Sequence, residues 1–208
     1  MALIKGVFTD QGRLWLARVL AEPDPSVTPL PFKTTGFHFF RVGEGGFQVL
    51  PSLQKIPIAP STRIALNGIV AGYGLKDASL SLVNPDAAPA ADKVAILVAD
   101  VPDVDSSLFF AQKNIASTDM VITLVGGVYK VTVTATLDLD EANTTFAAQG
   151  SHSPSFFEIG LFARYTLDGT TPTDTPPASP AVMLAYGTFP EEMKVISSAL
   201  INKVIFEI

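Results

Sequence analysis

The sequence predicts a mainly β protein, an antiparallel β-sheet or sandwich with long loops, α+β only through a short N-terminal helix. Three observations lead there. Sixteen Pro and 15 Gly in 208 residues punctuate the chain into short elements. Several runs alternate apolar and polar residues with period two, as half-buried strands do. Gly126-Gly127 lies between two such runs as a hairpin turn, because both residues tolerate the positive φ of a type I′ turn. Residues 1–208 read as one β-rich domain with a possible inserted or variable subregion at 51–115.

Thr9 opens the helix, its hydroxyl able to accept a hydrogen bond from an amide of the first turn. Leu14, Ala17 and Ala21 form a stripe that Trp15, Val19, Leu16 and Leu20 widen, with Trp15 as a packing anchor. Pro23 and Pro25 end it. Gly36 to Val42 reads as a strand running into Gly43-Glu44-Gly45-Gly46. That turn lacks the Gly-Lys-Ser/Thr of a phosphate loop and is followed by Phe47 to Pro51, which cannot open a helix. Its glycines instead supply positive φ. Arg63 to Leu66 and Lys93 to Ala99 look like strands.

The hairpin at 119–139 has one consistent register. The turn pairs Leu124 with Tyr129, Ile122 with Val131 and Met120 with Val133, all six on one face. Asp100, Asp103 and Asp105 form one acidic loop, and Asp138, Asp140, Glu141 and Asn143 another. Both read as solvated turns, with a calcium-type site as the alternative. Val204 to Ile208 reads as a final strand with an unpaired apolar edge, open to strand addition.

The chain is organised around Phe156 to Tyr165, which continues through Asp168-Gly169 and a Thr/Pro-rich loop to Met183–Pro190 and then Lys194. This is a long-looped hairpin with a core strand. Phe157, Ile159, Leu161 and Ala163 are expected on one face, and Phe156, Glu158, Gly160, Phe162 and Arg164 on the other. Glu158 among aromatics must be paired or hydrogen-bonded to be buried. Arg41, Arg13 or Arg18 are the expected partners, with backbone amides as the alternative.

Composition narrows the function. Hydrophobic residues make up 48% and charged ones 16%, yet no run approaches the ~20 apolar residues of a membrane span. No membrane insertion is expected, and Met1 to Gly6 lacks the apolar stretch of a signal peptide. A net charge of −6 without a basic cluster argues against a nucleic-acid partner. The absence of cysteine excludes disulfides and thiolate chemistry, and His38 and His152 are the only histidines. No catalytic constellation emerges, so no enzyme activity, cofactor or metal is expected.

The acid at Glu158, the following Ile159-Gly160-Leu161, Asp168-Gly169, Ala185 and Gly187, and Lys194 together resemble the N-terminal domain of bacteriophage tail-fibre (tail-collar fibre) proteins. Thr9, Gly12, Leu16 and Ala17 are similar to that family's opening T-x-x-G-x-x-x-L-A helix. Arg41 to Gly46 is similar to its A-V-G-D-G-G turn, with Glu44 for the usual Asp. These segments cover about half the chain, in the family's order. The resemblance implies a structural virion protein that attaches tail fibres to the baseplate, made in the host cytoplasm and located in the phage tail. It implies self-association, a homotrimer first, and contacts with baseplate and fibre proteins. Glu158, Gly160, Gly43, Gly45, Gly46, Asp168, Gly169 and Lys194 are its structural or assembly candidates. Because the family usually continues into a fibre shaft and the chain stops at Ile208, an adaptor is expected rather than a host-recognition fibre. The Asp168–Pro180 loop is a candidate docking element. The alternative is a carbohydrate-binding or glycan-cleaving β-domain on a virion surface, which would expose aromatics and paired acids. Here the 14 Phe sit mostly in strand-like runs and Trp is single.

Overall fold

A computed structural model describes residues 2–9, 12–13, 15–17, 36–57, 73–74, 96–97, 109–139, 141–142, 153–164, 181–195 and 197–207. In chain order the first strands are β1 (Ala2–Lys5), β2 (Val7–Phe8), β3 (Phe39–Gly43), β4 (Phe47–Val49) and β5 (Lys55–Pro57). Then come β6 (Tyr73–Gly74), β7 (Ile96–Leu97), β8 (Phe109–Asn114), β9 (Met120–Val125) and β10 (Val128–Leu137). The last three are β11 (Ser155–Arg164), β12 (Ala181–Met193) and β13 (Leu200–Glu207).

They form a mainly antiparallel sandwich. One sheet has the order β1-β13-β10-β9; the other has β2-β12-β11-β3-β8-β6, with β7 also paired to β12, and β4-β5 is a separate hairpin. Ile4, Val133, Val204 and Phe206 from the first sheet meet Phe40, Val42, Ile159 and Leu161 from the second in one buried core. Alternation along β13 explains its share: Leu200, Asn202, Val204 and Phe206 are buried while the residues between them are half-buried. The chain passes between the sheets at Gly6, whose N–H donates to the Ile205 carbonyl at 2.9 Å. A methyl group at Gly6 would run into the Phe206 ring.

The β9–β10 hairpin has the expected register, with Leu124 opposite Tyr129, Ile122 opposite Val131 and Met120 opposite Val133. Gly126 and Gly127 turn it with φ of 60° and 82°. Only its root is covered, however. Val133 is buried, whereas Ile122, Leu124 and Tyr129 on the same face are exposed.

Two expectations are corrected. The final strand is not an open edge: β13 pairs with β1 on one side and β10 on the other. Ala2–Lys5 supplies the missing neighbour in parallel register, and the edges of that sheet among the described residues are β1 and β9. Strict alternation along β11 also fails. Its register on β12 shifts where Phe156 pairs with Glu192 but Glu158 pairs with Thr188, so β12 carries two extra residues there, and Phe156 lies in the core beside Ile159 and Leu161. Phe157 instead packs on Phe47, ring centroids 4.8 Å apart, with the Lys55 ammonium 4.6 Å from the Phe47 ring.

Gly12–Arg13 and Trp15–Ala17 are helical; the expected continuation to Ala21 lies outside the described residues. Trp15 does anchor packing, against Ala163 and Leu184 and 6.5 Å from the Phe37 ring. Ile96–Leu97 falls within the expected strand at 93–99, whereas Arg63 to Leu66 and the acids Asp100, Asp103 and Asp105 lie outside the described residues. No helix among the described residues is long and apolar enough to cross a membrane.

Candidate functional site

The glycine-rich turn and the acid of β11 form one clasp. Pairing of β3 with β11 sets Gly43 opposite Glu158, so the turn that leaves β3 folds directly over that carboxylate. Glu158 is fully buried, and its Oε1 accepts a hydrogen bond from the Gly45 N–H at 3.0 Å. In the other direction, Glu44 Oε1 accepts from the Ser155 N–H at 3.3 Å, at the start of β11. Each segment therefore contributes a carboxylate to an amide of the other. Of the turn's glycines only Gly46 has the expected positive φ, at +77°; Gly43 belongs to β3 and Gly45 does not have it, and a Cβ at Gly46 would lie 2.8 Å from Cβ of Glu158. Of the partners expected for Glu158, a backbone amide, that of Gly45, is one that this geometry supplies, and Arg18 lies outside the described residues. Arg41, also buried, donates from Nε to Gln112 at 2.8 Å, and its guanidinium lies 5.2 Å from the Phe162 ring. Gly160 separates Arg41 from Tyr186 across the sheet.

Removal of the Glu158 carboxylate strands the Gly45 N–H in a buried site. A buried donor left unmade costs ~1–3 kcal/mol, so Glu158→Ala should lose about 2 kcal/mol in urea unfolding. Glu158→Gln, whose carbonyl still accepts, should lose less. Equal losses would mean that volume rather than the hydrogen bond matters.

A second junction joins the chain's beginning to β12. The Thr9 N–H donates to the Leu184 carbonyl at 2.9 Å, and its hydroxyl donates to the Met183 carbonyl at 2.7 Å. The same hydroxyl accepts from the Gly12 N–H at 2.9 Å, the capping contact expected of Thr9. Gly12 then lies so close to the Leu184 carbonyl that no Cβ fits between them. Further along β12, a Cβ at Gly187 would run into the Ile4 side chain.

Lys194 is buried, and its ammonium donates to the carbonyls of Leu139 and Val195, each at 3.3 Å. Its N–H donates to the Pro154 carbonyl at 2.9 Å, which ties the end of β12 to the entry of β11. Asp168 and Gly169 lie outside the described residues, as does the rest of the 168–180 loop. The acidic turn after β10 is already occupied by a lysine. Lys113 donates to Asp138 Oδ2 at 2.9 Å and Glu141 Oε2 at 2.8 Å, and Glu141 also accepts from the Asp138 N–H. Asp140 and Asn143, the other members of that expected cluster, are outside the described residues.

Burial alone would lower the Lys113 pKa, but its hydrogen bonds to Glu141 and Asp138 and the charges of those carboxylates outweigh it and hold the ammonium above its ordinary value of 10.5. A raised folded pKa gives stability that is complete below the unfolded value and disappears as pH rises through the folded one. The stability difference between the wild type and Lys113→Met should therefore shrink above pH 10.5 and be constant from pH 7 to 9. Its size is at most ~1 kcal/mol, since Asp138 is largely exposed and solvent screens the pair.

One residue escaped the sequence reading. Asn202 faces the core on β13, fully buried, and neither its Nδ2 nor its Oδ1 has a hydrogen-bond partner among the described residues. The signal was the alternation itself, which sets position 202 in phase with Leu200, Val204 and Phe206. Burying an unmade amide costs ~1–3 kcal/mol. Asn202→Val should accordingly raise stability by about 2 kcal/mol in chemical unfolding. A loss would show that the amide is satisfied in solution.

What the fold and site define is a mainly antiparallel β-sandwich whose larger sheet carries two junctions, the Gly45 N–H on the Glu158 carboxylate and Thr9 on the Met183 and Leu184 carbonyls. No family model, no curated protein and no solved structure matches the chain.

Proposed function

We propose that the chain is a structural protein of a bacteriophage tail, an adaptor that attaches tail fibres to the baseplate and acts through assembly rather than catalysis. The observation that supports this reading most directly is the convergence of the tail-fibre-like segments. Thr9 and Gly12 close on Leu184, and the Gly43–Gly46 turn closes on Glu158. Segments from three remote parts of the sequence thus meet on the neighbouring strands β11 and β12. An adaptor must transmit force between neighbours without opening. A sandwich whose turns are held to its central strands by buried carboxylate–amide bonds suits that task. The homotrimer, the virion location and the fibre and baseplate partners belong to the same proposal.

The test is cryo-electron microscopy of the parent particle, with co-purification of the chain through an affinity tag. Density for the sandwich between baseplate and fibre, with fibre or baseplate proteins recovered alongside, is the expected result. A particle without this chain, or glycan turnover by the purified protein that disappears in a single Asp or Glu variant, would overturn it.

A further inference from the structure

We propose that the tip of the β9–β10 finger of one copy seats in an apolar mouth of a second copy of this chain, so that finger and mouth are two halves of one self-contact. The finger is the part of the first sheet that outruns its cover. On the face continuous with the core, Ile122 is 69% exposed, Leu124 60% and Tyr129 55%. On the opposite face Val121, Val125 and Val128 are open as well. Strand β9 has a neighbour only in β10 among the described residues, so the finger also has a free backbone edge.

The mouth lies at the root of the same face, where the two sheets part. It is a cavity of about 220 Å³ lined by Phe8, Trp15, Phe37, Met120, Val131 and Phe206 among others. Its wall is a run of neighbouring rings, with Phe206 4.9 Å from Phe8 and 5.6 Å from Phe37. An apolar cavity of about 150 Å³ takes a benzene ring. The mouth therefore has room for the isobutyl group of Leu124 or the ring of Tyr129.

Charge and area select a second copy as the occupant. The chain carries a net charge of −6, so its copies repel wherever acids dominate. Residues 116–133 contain only Asp119 and Lys130, which cancel, and Lys130 is paired with Glu207 at 3.1 Å. The finger is thus a neutral place where like-charged copies can meet, and it offers a charged partner nothing to pair with. The three open side chains on the mouth's face, Ile122, Leu124 and Tyr129, present on the order of 400 Å² of apolar surface, which with the mouth and the β9 edge is the scale of a small interface at the low end of the specific range, below ~1,200 Å² in total. Mouth and tip lie on one face, separated by a strand length of roughly 12 Å. A second finger laid antiparallel along the first brings each tip to the other's mouth. Passed from copy to copy instead, the same contact closes a ring, and the mass of the assembly tells the two apart. The inference does not rest on the tail reading: self-association can hold for a protein absent from particles, and can fail for one that is present.

The natural absence of cysteine provides the test. Leu124→Cys and Met120→Cys proteins, one of them size-tagged, are mixed and oxidised. The mixed disulfide should exceed by about tenfold or more the product of Met120→Cys with Leu53→Cys, a control thiol at a position 83% exposed. Val131→Cys replaces Met120→Cys if the latter does not fold. In parallel, Leu124→Lys should weaken self-association in light scattering by about tenfold or more while leaving the Tm of the dissociated chain unchanged. Cross-linking no better than the Leu53→Cys control, a strictly monomeric wild type at high concentration, or association undiminished in Leu124→Lys would each overturn the proposal.

Discussion

Gly46→Ala is expected to lower the unfolding free energy by about 3 kcal/mol, from two sources that act together. The position holds φ +77°, where a side chain costs ~1–2 kcal/mol. The added methyl would also lie 2.8 Å from Cβ of Glu158, an atom fixed to the central strand of its sheet. Neither partner can rotate away, so the turn must lift, and the Gly45 N–H then leaves the Glu158 carboxylate. Overpacking of this kind adds ~1–3 kcal/mol. Gly127→Ala is the matched reference, because its φ is +82° and nothing lies within 4 Å of the new methyl. It should lose only the conformational part, about 1 kcal/mol. Urea unfolding of both variants with unchanged m measures the difference. Equal losses would mean that the clasp over Glu158 is looser than its geometry indicates.

The parts of the fold legible in the sequence were those that local chemistry decides. The β9–β10 register followed from Gly126-Gly127 and the alternation on either side, because a tight turn leaves no freedom to slip. Pairing of β11 with β12 followed from two apolar runs around a polar connection. The shift at Phe156–Glu158 was not legible, since the extra residues lie on β12 and leave no trace in the pattern of β11. Nor was the neighbour of β13: Ala2–Lys5 is too short to show a period, and it joins in parallel from the far end of the chain.

The site was legible as a set of residues and not as a set of contacts. Glu158 was expected to need a partner, and arginine was the natural candidate for a buried acid. Register is what brings the Gly45 amide to that acid. With Gly43 opposite Glu158, the next residues of the turn are the groups closest to the carboxylate. The family-like order of Thr9, Gly43–Gly46 and Glu158 gave no hint that Thr9 spans to Met183 or that Gly12 lies on Leu184. Asn202 went unnoticed because the expected final strand began at Val204, two residues after it, whereas β13 begins at Leu200.

The junction at Gly12 gives a prediction whose sign, and not only its size, separates local from tertiary control. Gly12 is helical, and in an isolated helix Gly→Ala stabilises by ~1 kcal/mol. Here the new methyl would occupy the space of the Leu184 carbonyl oxygen, on a strand paired with β11 and β2. That carbonyl cannot turn aside, because it already accepts from the Thr9 N–H at 2.9 Å. The helix start must therefore move off the strand, and the Thr9 hydroxyl loses its bonds to Met183 and to the Gly12 N–H. Loss of a cap costs ~1 kcal/mol and overpacking ~1–3 kcal/mol, together more than the propensity gain. Gly12→Ala should thus destabilise by about 2–3 kcal/mol in urea unfolding. Thr9→Ala should remove much of the same energy, and the double variant should lose less than the sum because both act on one junction. A stabilised Gly12→Ala would show that the N-terminal helix is not held against β12 in solution.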